Sequence, residues 1–177
     1  MFRRLLIKFG LVEAKIGFYG IDTTERERFV YSVRARGFVQ PECQSRFSFE
    51  KFYFQGIMVH GVIAPGNRGG RQPFRDELCD YDGIAFFIDA TDDDGLRLSW
   101  EELDSILSDE EISQHIVILV PQKKASGCAN EPALLAEFGL EDVVSKANGR
   151  VALFGYSLSE EDFIGCDESL QWLINHI

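Results

Sequence analysis

Apolar and polar positions fall into short blocks along the chain, and these blocks predict alternating strands and helices. Continuous apolar runs typical of buried strands occur at residues 14–19, 83–89, 116–120 and 150–155. Two further strands are predicted at 46–54 and 57–64, and Gln55-Gly56 between them indicates a hairpin. Apolar positions at helical spacing predict helices at 25–36, 74–81, 99–112, 130–138 and 167–176. Such alternation predicts an α/β fold with a mostly parallel six-stranded sheet and helices on both faces.

Polar signals refine where the helices begin. Thr24 with Glu27, and Ser99 with Glu102, match the capping-box pattern, which predicts a helix start at each pair. Residues 66–73 are rich in glycine and are expected to form a flexible loop. The acidic run at 92–94 lacks the spacing of a calcium-binding loop, so a solvated loop is expected there.

Composition and charge are those of a globular protein with one domain, predicted over residues 13–177. The chain has 177 residues, of which 45% are hydrophobic and 27% charged, and its formal net charge is −11. This length allows a sizeable core, and the acidic balance argues against nucleic acid as the main partner. No apolar run reaches the roughly 18 residues of a membrane-spanning helix. Reduced thiols in the cytoplasm are expected, without a zinc or redox motif, because no C-x-x-C pair occurs among Cys43, Cys79, Cys128 and Cys166.

Residues 1–12 differ in character from the predicted domain. Basic residues alternate there with apolar residues at helical spacing, namely Phe2, Leu5, Leu6 and Phe9. This pattern predicts a basic amphipathic helix, which can lie on an anionic membrane surface. The same helix can also pack back onto the domain or bind a partner, and the sequence leaves these alternatives open.

The most informative segment for chemistry follows the first predicted strand. Gly20 fits the first glycine of the phosphate-loop pattern G-x-x-x-x-G-K-[ST], but the next required positions hold Glu25, Arg26 and Glu27. Glu25 adds a negative charge where a second glycine lets backbone N–H groups surround a phosphate. Arg26 replaces an ammonium point charge by a planar guanidinium, and Glu27 removes the hydroxyl that ligates Mg²⁺. The segment therefore fits either an altered phosphate loop or an ordinary capped strand–turn–helix.

The order of elements resembles the Arf/Sar branch of the Ras-like small GTPases over nearly the whole chain. The resemblance includes the amphipathic N-terminus, Gly20-Ile21-Asp22 after the first strand, and the central hairpin. Residues 89–92 (Asp-Ala-Thr-Asp) are similar to the family's V-D-S-x-D stretch, and residues 170–175 to its closing L-x-W-L segment. The resemblance implies a Ras-like small-GTPase fold.

The resemblance also places substitutions at the family's functional positions. The switch I threonine, the Mg²⁺-side aspartate, the water-orienting glutamine and the guanine-reading aspartate fall on Gln44, Ile63, Asn67 and Ala125. Phosphoryl transfer depends on positioned charges and Mg²⁺. We therefore expect a catalytically inactive pseudo-GTPase with no catalytic residue, no metal-binding residue and no bound cofactor. A remnant phosphate site, if one is retained, would comprise Gly20, Asp22, Thr23, Thr24 and Arg26.

The expected function is that of a protein–protein interaction module. In the family the switch and interswitch surface contacts partners, and aromatic residues crowd the corresponding stretch here: Phe47, Phe49, Phe52 and Phe54. Core packing is expected to account for some of them, because side chains alternate across a strand. The resemblance also implies a role in membrane trafficking and a cytoplasmic protein that is peripheral on a membrane.

Two alternatives remain open. A divergent GTP- or GDP-binding switch with Mg²⁺ and little or no hydrolysis would bind phosphate through Arg26, Arg28 and the arginines at 68 and 71. An unrelated α/β enzyme has less support, because there is no G-x-S-x-G elbow. The three histidines are isolated from one another in the sequence, and each is expected to be packed or solvated: His60, His115 and His176.

Overall fold

The computed structural model describes residues 12–21, 23–41, 47–65, 68–90, 92–121, 141–147 and 149–177. The strands are β1 (Glu13–Gly20), β2 (Ser48–Phe54), β3 (Ile57–Ile63), β4 (Gly83–Phe87), β5 (His115–Pro121), β6 (Val151–Leu158) and β7 (Phe163–Ile164). The helices are α1 (Thr23–Ala35), α2 (Arg68–Asp76), α3 (Asp93–Leu107), α4 (Glu141–Lys146) and α5 (Cys166–His176), and a 3₁₀ turn covers Leu78–Asp80. The predicted N-terminal helix and the predicted helix at 130–138 lie outside the described residues.

The sheet has seven strands in the order β2-β3-β1-β4-β5-β6-β7. Strand β1 pairs in parallel with β3 and β4, and the β4–β5 and β5–β6 pairs are also parallel. Strands β2 and β7 are antiparallel to their neighbours β3 and β6. The mostly parallel α/β sheet is confirmed, but the expected number of six strands was wrong. The seventh strand spans two residues, which is too short for a hydrophobic period to indicate.

Helices cover both faces of the sheet. On one face, Phe29 and Val33 of α1 and Leu170 and Leu173 of α5 pack on the buried side chains of the strands. On the other face, the packing comes from α2, the 3₁₀ turn and α3, including Phe74. Parallel strands covered on both sides explain why β4 and β5 read as continuous apolar runs rather than as alternating ones.

The hairpin between β2 and β3 forms where the sequence predicts it. Gln55 and Gly56 both have positive φ, at 48° and 84°. Two central residues with positive φ match the turn that follows the right-handed twist of paired strands. Phe54 and Ile57 then face each other as the last partners of the ladder.

The start of helix α3 differs from the prediction. Helix α3 begins at Asp93, and Asp92 caps it by accepting a hydrogen bond from the N–H of Gly95 at 2.7 Å. The acidic run is therefore a helix start and not a loop, in line with the preference of carboxylates for helix N-termini. Ser99, predicted as the cap, lies inside the helix and is buried, where its hydroxyl accepts from the N–H of Asp89 at 2.9 Å.

Helix α2 occupies most of the segment expected to be a flexible loop. It spans Arg68–Asp76 despite two glycines and the internal Pro73. Its Phe74 is fully buried, so tertiary packing overrides the poor helix propensity of this stretch. The predicted helix at 74–81 is replaced by the end of α2 and the separate 3₁₀ turn.

Two of the four cysteines fall within the described part of the chain. Cys79 is exposed and Cys166 is buried, and both are free thiols. Cys43 and Cys128 lie outside the described residues. Across the described ranges, none of the helices combines the length and the apolar character needed to cross a membrane.

Candidate functional site

The candidate site lies where the carboxyl ends of β1 and β3 meet the start of α1. The N–H of Ala64 donates to the carbonyl of Phe18 at 3.0 Å, which extends the β1–β3 contact past the last paired residues. Gly20 closes β1 with φ of 149°, and a Cβ at this position would lie 2.4 Å from the carbonyl oxygen of Phe87. Only glycine fits this close backbone approach, so the first glycine of the loop has a local structural reason.

Arg26 fills the space between these two strand ends. Its side chain projects from α1 and has 0% exposure. The guanidinium donates to the carbonyl oxygen of Gly20 and, at 3.0 Å, to that of Ala64. The residue at the position of the phosphate-binding lysine is thus turned inward and holds backbone carbonyls.

The two glutamates of the loop have different environments. Glu25 is partly exposed, and its carboxylate accepts from the Tyr156 hydroxyl at 2.8 Å and from the Arg28 guanidinium. Because Tyr156 belongs to β6, this contact ties the first turn of α1 to a distant strand. Glu27 is fully buried.

The start of helix α1 differs from the one that the capping-box pattern at Thr24 and Glu27 predicts. Helix α1 already begins at Thr23, so Thr24 lies within the first turn and not at the cap position. The helix thus begins two residues before Glu25, the first helical residue that a cap at Thr24 predicts.

The other residues singled out by the sequence lie either in the core or outside the described part of the chain. Ile63, at the position of the Mg²⁺-side aspartate, ends β3 and is buried in the core, and Pro65 beyond it is also buried. The remaining predicted positions lie outside the described residues or have no described side chain: Asp22, Thr23, Gln44, Asn67 and Ala125. Of the predicted phosphate site, the structure brings together Gly20 and Arg26, through the hydrogen bond from the guanidinium to the Gly20 carbonyl oxygen.

Helix α2 is anchored beside this site by an aromatic stack. The Phe74 ring stacks on Tyr19 of β1 with centroids 5.4 Å apart and on Phe47 at 5.8 Å. The Tyr19 hydroxyl donates to Glu102 of α3 at 2.7 Å. Burial, reinforced by the Glu102 carboxylate, raises the pKa of Tyr19 well above its ordinary value. Sequence reasoning missed this cluster, although apolar Phe74 after a glycine-rich stretch was a usable signal.

Arg75 adds a polar link between α2 and α3. Its guanidinium donates to the carbonyl of Ser105 at 3.1 Å and lies 3.7 Å from the carboxylates of Glu102 and Asp109. Together with the Tyr19–Glu102 bond, these contacts fix the end of α2 against α3.

The aromatic residues predicted to contact a partner divide between core and surface. Phe52 and Phe54 are buried, so they belong to the part of the set that core packing was expected to account for, and they are not available to a partner. Phe49 and Tyr53 are 72% and 63% exposed, and Phe47 is half-buried. Alternation along β2 accounts for this division. The exposed face of β2 thus carries Phe49, Lys51 and Tyr53, which we call the β2 patch.

An open groove lies beside the β2 patch. Its volume is about 390 Å³, and its lining includes Lys15, Phe49, Lys51, His60, Val62 and Asp82. The Lys15 ammonium lies over the Tyr81 ring, 4.3 Å from its centroid. Strand β2 is the outermost strand in the sheet order, so the groove opens next to an edge.

The three histidines, which are isolated from one another in the sequence, have different surroundings in the structure. The His60 ring lies 3.0 Å from the Glu13 carboxylate. His115 and His176, far apart in the sequence, have ring centroids 5.5 Å apart. The fold therefore places two of the three histidines together, at the start of β5 and the end of α5.

The sheet order, the helices on both faces and the glycine turn between β1 and α1 define a Ras-like small-GTPase fold. The family model described as "ADP-ribosylation factor family" matches residues 2–177. The chain belongs to this family, which confirms the resemblance drawn from the sequence.

Individual relatives are distant but cover nearly the full chain. ADP-ribosylation factor-like protein 1 of Caenorhabditis elegans is 22% identical over 170 residues, which cover 96% of this chain and 92% of that protein. The protein of the same name in Drosophila melanogaster is 24% identical over 175 residues, covering 98% and 93%. Among solved structures, the Arl6 (BBS3) small GTPase of Trypanosoma brucei with a bound nucleotide analogue is similar, with a TM-score of 0.72 and 16% identity, covering 93% of this chain and 96% of that one.

Proposed function

We propose that this Arf-family chain is an interaction module that neither binds nor hydrolyses GTP. The observation that carries the proposal is the buried Arg26 guanidinium, which donates to the carbonyl oxygens of Gly20 and Ala64. A phosphate-binding cation must direct its N–H groups toward the ligand. Here two of those donor groups are already used inside the protein.

Moving Arg26 toward a phosphate would be costly. Hydrogen bonds that involve a charged group contribute about 1.5–3 kcal/mol each. Binding of a ligand would have to compensate for the loss of both bonds. Each of the two buried carbonyl oxygens would also need a new hydrogen-bond donor. Arg26 therefore acts as an internal substitute that joins the ends of β1 and β3 without a nucleotide.

The acidic residues of the loop oppose anion binding further. Glu25 lies at the position of the second loop glycine, and its carboxylate is held by Tyr156 and Arg28. A carboxylate fixed there repels a phosphate. Arg28, one of the cations available to an alternative phosphate site, is already engaged in this pair.

A partner surface follows from the same account. Without a nucleotide to reposition the switch segments, the anchored α2 and the β2 patch present one constant surface. Exposed aromatic residues are frequent anchors of protein interfaces. We assign the protein partner to the β2 patch and the adjoining groove, with Phe49 and Tyr53 as the apolar contacts. We also propose that the protein acts in membrane trafficking and that it is peripheral on a membrane.

The partner surface is testable by site-specific photocrosslinking in cells. A photoreactive phenylalanine analogue at position 49 should give discrete crosslinked species. The matched control is position 98, because Leu98 is also an exposed apolar residue but lies on α3. Equal crosslinking from both positions would contradict a partner site on β2.

The second candidate is a divergent nucleotide-binding switch, favoured by membership of the family. The trypanosome relative was solved with a bound nucleotide analogue, which shows what the fold accommodates in that protein. A thermal-shift titration with GTP, GDP and ATP, each with Mg²⁺, separates the candidates. Our proposal expects no change in melting temperature at millimolar ligand, because a ligand that binds only the folded state must raise stability. A saturable rise with GTP or GDP alone would favour the switch.

A further inference from the structure

The amino-terminal ends of the parallel strands, opposite the candidate site, carry a pair of histidines from distant parts of the chain. His115 is the first residue of β5, and His176 is the last residue of α5. Their ring centroids are 5.5 Å apart with 44° between the ring planes. Both rings also contact Trp172 of α5, at 6.1 Å from His115 and 4.2 Å from His176.

The His176 ring is held in a defined orientation. It stacks on Trp172, and its Nδ1 lies 2.7 Å from the carbonyl oxygen of Trp172. A carbonyl oxygen can only accept, so Nδ1 carries the hydrogen and Nε2 of the neutral ring has the free lone pair. Metal-binding histidines are commonly oriented in this way, with one ring N–H donated to a backbone carbonyl.

The nitrogen atoms of the His115 ring are also available to a ligand. A neutral imidazole has one nitrogen lone pair. Within the described ranges, neither ring nitrogen of His115 nor Nε2 of His176 has a hydrogen-bond partner.

We propose that His115 and His176 form a binding site for a divalent transition-metal ion, Cu²⁺ or Zn²⁺, that bridges β5 and α5. Imidazole nitrogens suit both ions. A metal ion about 2.0–2.1 Å from each ligating nitrogen places two imidazole centroids about 5–6 Å apart, as found here. Among the described residues, no group of three or more His, Cys, Asp or Glu side chains could hold a metal ion, so the proposed site has two protein ligands from this part of the chain.

The site is independent of the proposed loss of nucleotide binding. Its ligands lie at the amino edge of the parallel strands, whereas Gly20 and Arg26 lie at the carboxyl edge. A bound ion would join the end of α5 to the sheet and stabilise the packing of that helix. Nucleotide binding, if it occurred, would leave this prediction unchanged.

Histidine NMR tests the proposal directly in the full chain, because there are only three histidines. Titration with Cu²⁺ should broaden the ring resonances of His115 and His176 together at substoichiometric ion, through paramagnetic relaxation, before it affects His60. Zn²⁺ should shift the same two resonances and raise the melting temperature. His115→Gln and His176→Gln identify the resonances. Loss of the His60 signal first, or broadening of only one of the pair, would overturn the proposal.

Calorimetric titration with Cu²⁺ and Zn²⁺ provides a second measurement. It is made in a Cys79→Ser background, because the Cys79 thiol is free and exposed and thiolates are ligands for such ions. Either glutamine variant should weaken binding at least tenfold, whereas the matched variant His60→Gln should bind like its parent. His176 is exposed at the end of α5, so its variant remains informative if substitution of His115 impairs folding. Unchanged affinity in His176→Gln would exclude the site.

Discussion

At the level of single residues, the proposed absence of nucleotide binding depends on the direction in which the Arg26 side chain points. The resemblance to the family places Arg26 at the position of the loop lysine, and an arginine there is by itself compatible with binding a phosphate. Its inward orientation depends on carbonyl acceptors at Gly20 and Ala64, which lie 6 and 38 residues away along the chain. Local sequence patterns do not report such contacts, so the replacement was predictable and its structural role was not.

Replacing Arg26 should destabilise the fold substantially. Arg26→Ala removes the donors of two buried carbonyls and leaves a cavity, and the expected loss is about 2–5 kcal/mol of unfolding free energy. Arg28→Ala is the matched control, since its partly exposed pair with Glu25 should be worth at most about 1 kcal/mol. Urea unfolding measures both. A loss in Arg26→Ala no larger than that of the control would show that the carbonyl contacts matter little.

At the scale of elements, helix α3 shows how a correct pattern can be assigned to the wrong place. Ser99 and Glu102 have the spacing of a capping box, yet Ser99 lies in the middle of the helix. Its hydroxyl accepts a hydrogen bond from the backbone N–H of Asp89. A serine and a glutamate three residues apart can also lie in the interior of a helix, so this spacing alone does not mark where a helix begins. Asp92 caps the helix instead. A run of acidic residues is as typical of a solvated loop as of a helix start, so the sequence alone did not indicate this cap.

The cap at Asp92 gives a prediction at this scale. Asp92→Ala should lower the unfolding free energy by about 1 kcal/mol, because the N–H of Gly95 loses its acceptor. Asp94→Ala is the comparison, since Asp94 is exposed and lies in the first turn of the same helix without this bond. Equal effects of the two substitutions on the urea midpoint would mean that charge at the helix start, and not the cap, is what matters.

The anchoring of α2 predicts a pH dependence. The folded-state pKa of Tyr19 is raised above the unfolded value by burial, so its contribution to stability is complete below about pH 10 and is lost as the pH rises further. Burial also raises the pKa of Tyr81. Tyr19→Phe should therefore reduce the alkaline loss of stability while costing about 1 kcal/mol at neutral pH.

Unfolding midpoints between pH 7 and pH 11 measure this effect. The matched control is Tyr53→Phe, because Tyr53 is exposed on β2 and lacks the contact with Glu102. An alkaline loss of stability in Tyr19→Phe as steep as in the wild type would contradict the assignment.

At the scale of the whole molecule, the fold was largely predictable from the sequence. Buried parallel strands give long apolar runs, and their alternation with helices is specific enough to indicate the sheet. The two-residue β7 and the packing of α2 were not predictable, because one is too short for a period and the other depends on Phe74. The candidate site was predictable only as a set of substitutions.

The amphipathic N-terminal segment yields a prediction for the whole chain. If Phe2, Leu5, Leu6 and Phe9 contact a membrane, the protein should float with anionic vesicles in a density gradient. Leu5→Glu with Leu6→Glu should abolish flotation, whereas Leu98→Glu on α3 should not. Flotation that survives the double substitution would exclude this segment as the membrane contact.

We propose above all that Arg26 has taken the place of a nucleotide. The most direct test is to denature the purified full chain and measure released nucleotide by chromatography. We predict no guanine nucleotide above trace amounts in a protein that is folded and monodisperse before denaturation. Release of GDP or GTP in stoichiometric amount would contradict the account.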